Sequence, residues 1–219
     1  MKKPTNEFEY IRSFITPDTE FLRELELSSR ERGDIQPPVE REIGRFLSLL
    51  VRLTRAELVL ELGSGAGYSG LWLAGSLEKT GGKLITIDGK ERLHLEAVEN
   101  YSRAGHGERV EALLGDIPDV LETRVVPRYK GAFDIVFQDS GKSLYPALLQ
   151  TTWDLLKPGG LLVADDTLFK VNNEVRSNLG RYTDEYNRMV FERDDIYSVI
   201  LPVGHGLTIS IKGQADDRQ

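Results

Sequence analysis

Acidic side chains recur in this sequence where short apolar runs end. Glu61 closes ELVLEL (57–62), Asp88 closes KLITID (83–88), and Asp116 follows RVEALLG (109–115). Asp139 closes AFDIVFQD (132–139), and Asp165-Asp166 close GLLVADD (160–166). A carboxylate accepts hydrogen bonds from hydroxyls, and several together hold hard divalent ions through oxygen. Lys142, three residues beyond Asp139, adds an amine to this acidic set. After Glu61 come Gly63, Gly65, Gly67 and Gly70, a density that means a sharp turn or a close approach to something.

The elements that must position these groups follow from pattern. The runs ending in carboxylates are apolar on both faces. They alternate with helical stretches at Leu71–Lys79, Glu91–Ala104, Ile117–Val125 and Ser143–Leu156. Two-faced apolar strands separated by helices predict a parallel sheet covered on both sides. Ligands bind beyond the carboxyl ends of such strands, so the carboxylates share one rim. Residues 7–52 read as helical: Phe21, Leu22 and Leu25 form a stripe closed by Gly33, and Pro37-Pro38 opens a second helix through Ile43, Phe46, Leu47 and Leu50. At the other end IYSVILPV, GHG and LTISIK predict an antiparallel hairpin. The expected fold is α/β, a mostly parallel seven-stranded sheet with helices on both faces, N-terminal helices and a C-terminal hairpin. We expect a single domain: a helical cap over 1–56, a ligand-binding core over 57–212 and a disordered tail over 213–219.

Composition narrows the function. The 219 residues carry 35 Asp plus Glu against 28 Lys plus Arg, a net charge of −7, with no basic cluster to displace counterions from nucleic acid. Nucleic acid is not an expected partner. Cysteine is absent, which excludes disulfides and thiolate metal sites. No apolar run approaches the roughly 20 residues of a bilayer span, and MKKPTNEFEY lacks a signal-peptide apolar region. No membrane partner is expected, and the expected location is cytoplasmic.

Two ligand patterns fit the glycine stretch. Gly65 to Gly70 matches G-x-G-x-x-G, which with Asp88 on a ribose would make an NAD(P)-dependent oxidoreductase. That match begins several residues past the strand. Glu61 to Gly67 matches E-x-G-x-G-x-G, in register with the strand end. A pyrophosphate is anionic and seeks bare amides at a helix N-terminus, so Glu61 and Asp139 would repel it. S-adenosylmethionine carries an ammonium and a sulfonium against one carboxylate and suits an acidic rim. A strand-to-helix turn with no ligand is the remaining alternative.

ELGSGAGYSG, ITID, GD, FQDSGKSLY, LKPGGLLVADD and PVGHGLTISIK together resemble the cation-dependent O-methyltransferases related to catechol and caffeoyl-CoA O-methyltransferases, over about residues 35–212. The resemblance implies a Rossmann-like class I methyltransferase fold, S-adenosylmethionine, a divalent cation and a small hydroxylated, often catecholic, acceptor. On it, Glu61 and Gly63 face the methionine portion of the cofactor and Ser69 holds its carboxylate, with Ser64, Gly65, Gly67 and Tyr68 in the same cofactor-binding turn. Asp88 accepts the ribose hydroxyls, Gly115 and Asp116 lie beside the adenine, and Asp139, which also borders the cofactor, binds metal with Asp165 and Asp166. Mg²⁺ is the first expectation, with Ca²⁺ or Mn²⁺ as alternatives for an all-oxygen site. Adjacent Asp165 and Asp166 reach one ion only if the chain bends there. Lys142 is the expected general base.

The sequence departs from the family pattern in two places. The family has Asp-Asn where this chain has Asp165-Asp166, and Ser140-Gly141 stand where the catechol enzyme has an aromatic wall. Phe169 is a candidate replacement wall. Tyr145 matches a family tyrosine but fits helix packing as well. His94, His106 and His205 receive no catalytic role. A cofactor-binding protein without turnover is the further alternative, and a homodimer is the expected assembly.

Overall fold

A computed structural model describes residues 6–15, 19–172 and 177–213; the expected tail falls, from residue 214 on, outside these. Three helices come first: α1 (Glu7–Arg12), α2 (Glu20–Arg30) and α3 (Arg41–Thr54). The core then alternates β1 (Leu58–Leu62), α4 (Tyr68–Thr80), β2 (Lys83–Asp88), α5 (Glu91–Arg103) and β3 (Val110–Leu114). Short α6 (Ile117–Val120) and α7 (Val126–Tyr129) precede β4 (Phe133–Gln138), α8 (Leu144–Leu155), β5 (Leu156–Ala164), α9 (Ser177–Phe191), β6 (Ile196–Leu201) and β7 (Leu207–Lys212).

The strands form one seven-stranded sheet in the order β3-β2-β1-β4-β5-β7-β6. β1 to β5 run parallel, and β7 pairs antiparallel with both β5 and β6. The expected mostly parallel sheet with a C-terminal hairpin is therefore present. β1 lies between β2 and β4, so the chain order reverses there and opens a crevice at the β1 and β4 carboxyl ends.

Alternation along the strands builds two cores. Val59, Ile135, Phe137, Leu161 and Val163 pack under α2 to α5; Leu60, Leu62, Val136 and Leu162 pack under α8 and α9. Both faces are thus dry, as the unbroken apolar runs predict.

Three local features differ from the sequence expectation. α4 begins at Tyr68 rather than Leu71, so Tyr68, Ser69 and Gly70 make its first turn. β5 begins at Leu156 rather than Gly160: it pairs with Phe133, then shifts register before Leu161 meets Ile135, a bulge that accommodates Pro158. α9 carries no prior expectation at all. Among the described residues no helix is long and apolar enough to cross a membrane.

The start of β1 is fixed by a side chain. Buried Asp134 accepts hydrogen bonds through Oδ2 from the Glu57 and Leu58 amides, each at 2.8 Å, and pairs with Lys157. Asp134→Ala strands both amides and should lower stability by about 2–4 kcal/mol in urea denaturation. A loss under about 0.5 kcal/mol, the size of an ordinary surface change, would refute this role.

Candidate active site

Each parallel strand delivers one part of the crevice. β1 ends with Glu61, fully buried on the α4–α5 face. Its Oε1 accepts from Ser69 Oγ and its Oε2 from Thr86 Oγ1, both at 2.6 Å. Thr86 is the residue paired with Glu61 across β1 and β2. Burial pushes the Glu61 carboxyl up to about 7, with the two hydroxyls acting against it. Ser69 therefore spends its hydroxyl on Glu61. The turn after β1 is tight: Gly63 has φ +96°, and a Cβ there would stand 2.4 Å from the Asp139 carbonyl oxygen. Around Gly65 the same construction meets nothing within 4 Å, so the turn has one closed side and one open side.

β2 ends with Asp88, half-buried, whose Oδ2 accepts from the Gly65 amide (2.9 Å) and whose Oδ1 accepts from the Lys90 amide (2.8 Å). The carboxylate thus ties the glycine turn to the neighbouring strand. Beyond β3, the Gly115 amide donates to the Asp88 carbonyl (3.1 Å), and exposed Asp116 caps α6. Ser64 and Tyr68 are buried beside the turn, and Gly67 caps α4 with no side chain over the helix N-terminus. Asp88 thus ties the glycine turn after β1 to the backbone of Gly115 after β3.

β4 and β5 deliver the acidic cluster. Asp139, Asp165 and Asp166 each place a carboxylate oxygen within 4.8 Å of the others. The bend that two adjacent aspartates require is provided by Asp166, whose φ of +60° turns its side chain back toward Asp165. The Asp166 amide donates to Asp165 Oδ1 at 2.8 Å. Burial raises the Asp139 carboxyl, with Lys142 opposing it, and raises Asp165 further above the ordinary range.

Lys142 lies against this cluster, only 6% exposed. Its Nζ is 3.1 Å from Asp139 Oδ1, 2.9 Å from Asp166 Oδ2 and 2.8 Å from Tyr145 Oη. Burial works to lower Lys142, but Tyr145, Asp139 and Asp166 outweigh it and hold the amine protonated well above the ordinary lysine range. Tyr145 does more than pack. Its buried hydroxyl also lies 2.9 Å from the Gln138 carbonyl and 3.0 Å from the Asp165 carbonyl, linking the β4 and β5 ends. The Phe169 ring also lies near the amine, its centroid 5.7 Å from Nζ.

Sequence reasoning missed Thr86 and His205 as parts of this site. Thr86 lies two residues before Asp88, on the strand next to Glu61, a signal readable once strand register is known. His205, from the β6–β7 connection, brings Nδ1 to 3.2 Å from Asp166 Oδ1 across 39 residues of sequence, and no local pattern announces that contact. His94 and His106 lie on and just after α5.

Glu61 yields a pH-dependent prediction. The unfolded chain titrates it near 4.5 and the folded chain near 7, so the folded state holds the proton more tightly. Its contribution is complete below the lower value and is lost as pH rises through the upper one, on the order of 3 kcal/mol. In urea denaturation of the ligand-free protein, Glu61→Gln should therefore gain on the wild type between pH 5 and pH 8. An unchanged difference between the two proteins at both pH values would contradict this.

Comparison with known proteins places the chain. The O-methyltransferase family model matches residues 13–213. The catechol O-methyltransferase of Niastella koreensis is 35% identical over 159 residues, covering 73% of this chain and 71% of that protein. The O-methyltransferase TomG of Streptomyces achromogenes, involved in tomaymycin synthesis and crystallised with S-adenosylmethionine, has a TM-score of 0.81 at 27% identity, covering 94% of this chain and 95% of its own. An O-methyltransferase of Bacillus cereus, in complex with S-adenosylhomocysteine, has a TM-score of 0.83 at 25% identity, with 93% and 96% covered. These matches decide against the oxidoreductase alternative. The chain belongs to the O-methyltransferase family.

Proposed function

We propose that this enzyme transfers the methyl group of S-adenosylmethionine to a hydroxyl of a small, catechol-like aromatic acceptor. In this reading Asp139, Asp165 and Asp166 hold a divalent cation, Mg²⁺ first, and Lys142 accepts the hydroxyl proton. The observation that carries it is the convergence of three carboxylates and a buried lysine beside the glycine turn at the β1–β4 crevice.

The residues fit both groups. The donor set of the cluster is all oxygen, which suits Mg²⁺, Ca²⁺ or Mn²⁺ over zinc. Three carboxylates this close repel one another unless positive charge lies among them, and Lys142 is, among the described residues, the one cationic side chain paired with two of them. For the methyl donor, the turn has open space beside Gly65, whose amide is held by Asp88, a carboxylate suited to ribose hydroxyls. TomG binds S-adenosylmethionine in a fold of the same kind.

Bound there, the cation supplies positive charge that favours loss of a proton from the acceptor hydroxyl, and the donor supplies an electrophilic methyl carbon. Lys142 is within reach to take that proton on Nζ, provided Asp139 and Asp166 are engaged by other positive charge, since together they keep the amine protonated. Tyr145 orients Nζ from below through its anchored hydroxyl. Phe169 offers an aromatic wall beside the amine, one that Ser140-Gly141 do not supply. Holding acceptor and donor in line accounts for much of the remaining acceleration, on a scale that reaches ~7–11 kcal/mol.

With catechol as acceptor, Lys142→Met should lower kcat by about 10²–10⁴-fold, the range of general acid–base contributions, while calorimetric binding of S-adenosylhomocysteine stays near wild type. Dialysis against EDTA should stop turnover and Mg²⁺ should restore it. An unimpaired Lys142→Met enzyme removes the base from this reading; full activity in EDTA removes the cation.

A further inference from the structure

His205 stands outside the residues used above, yet the fold presses it against the acidic cluster. Its loop is fastened to the segment after β5 by two backbone hydrogen bonds: the Thr167 amide to the Gly206 carbonyl (3.0 Å) and the Leu168 amide to the His205 carbonyl (2.8 Å). Gly206, with φ +98°, permits this approach, because a Cβ there would lie 2.4 Å from Leu168 Cγ. Behind the loop, Thr208 Oγ1 hydrogen-bonds Thr167 Oγ1 (2.8 Å) and Asn187 donates to the Thr167 carbonyl (2.8 Å). The imidazole packs on Phe169, with ring centroids 5.5 Å apart.

Asp166 is consequently gripped from two sides. Oδ2 faces Lys142 Nζ at 2.9 Å inside the site, and Oδ1 faces His205 Nδ1 at 3.2 Å at its rim. An aspartate carboxylate otherwise turns freely about its last torsion, and its left-handed backbone fixes only where the side chain starts.

We infer that His205 is a positioning residue: its Nδ1–H holds one oxygen of Asp166 so that the other is presented to the cation. The inference rests on the divalent-cation reading above. Outer partners of ligating carboxylates commonly contribute 10–100-fold in metal affinity. His205 is half exposed, so the lower end applies, a loss of about tenfold when the donor is removed.

The test is calorimetric titration of the purified full chain with MnCl₂, with the Mn²⁺ electron paramagnetic resonance signal as a second readout. Three variants separate geometry from bulk. His205→Asn carries an amide nitrogen about where Nδ1 lies, His205→Gln carries one about where Nε2 lies, and His205→Ala carries none. We expect Ala and Gln to weaken Mn²⁺ about tenfold and Asn to stay close to wild type, with ligand-free melting temperatures unchanged. Wild-type affinity in His205→Ala overturns the inference, as does an Asn variant as impaired as Ala. A fall in ligand-free melting temperature matching the lost affinity in all three variants assigns His205 to loop stability instead. If the wild type itself takes up no Mn²⁺, the cation reading fails, and this inference falls with it.

Discussion

Carboxylates brought together in a partly buried crevice repel one another, and the site is organised around containing that repulsion. Glu61, Asp139, Asp165 and Asp166 end three neighbouring strands, with Glu61 fully buried and Asp165 only 4% exposed. In a low-dielectric setting each unpaired charge is costly, and several close together raise one another's proton affinity. The fold answers locally: two hydroxyls serve Glu61, two backbone amides serve Asp88, and one lysine spans Asp139 and Asp166. What remains uncompensated is the affinity for cations that the proposed reaction uses.

The sheet separates the two halves of that reaction. Residues on one face of β1 lead through Glu61 to Ser69 and the glycine turn under α4. The opposite side of the rim leads through Tyr145 on α8 to Lys142 and the acidic cluster. Gly63 lets the chain after β1 pass against the Asp139 carbonyl, so both halves meet within one crevice. The proposed reaction would bring methyl donor and acceptor together at that contact.

Much of this was legible in the sequence because it depends on short-range pattern. Strands apolar on both faces, each ending in a carboxylate, specify a buried parallel sheet and its ligand-binding rim with no further information. The failures have physical causes. α9 was missed because its buried face is Gly180, Thr183, Tyr186 and Val190, with too few apolar residues to mark a stripe. β5 was started late because Pro158-Gly159-Gly160 reads as a turn, whereas the structure absorbs it as a bulge. Helix α4 was started late because glycines at its N-terminus read as loop. The roles of Tyr145 and His205 depend on tertiary contacts: a hydroxyl bridging two strand ends, and a loop fastened 39 residues beyond its carboxylate partner. The adjacent Asp165 and Asp166 gave a sharper clue, since their convergence demanded a bend and Asp166 adopts one.

The most direct examination of the central claim is anomalous diffraction from crystals soaked with Mn²⁺ and S-adenosylhomocysteine. One strong anomalous peak bounded by oxygens of Asp139, Asp165 and Asp166 is expected, with the thioether ligand lying along the glycine turn beside Asp88. A cluster left without a peak at saturating Mn²⁺, with Lys142 still lodged between Asp139 and Asp166, would contradict it.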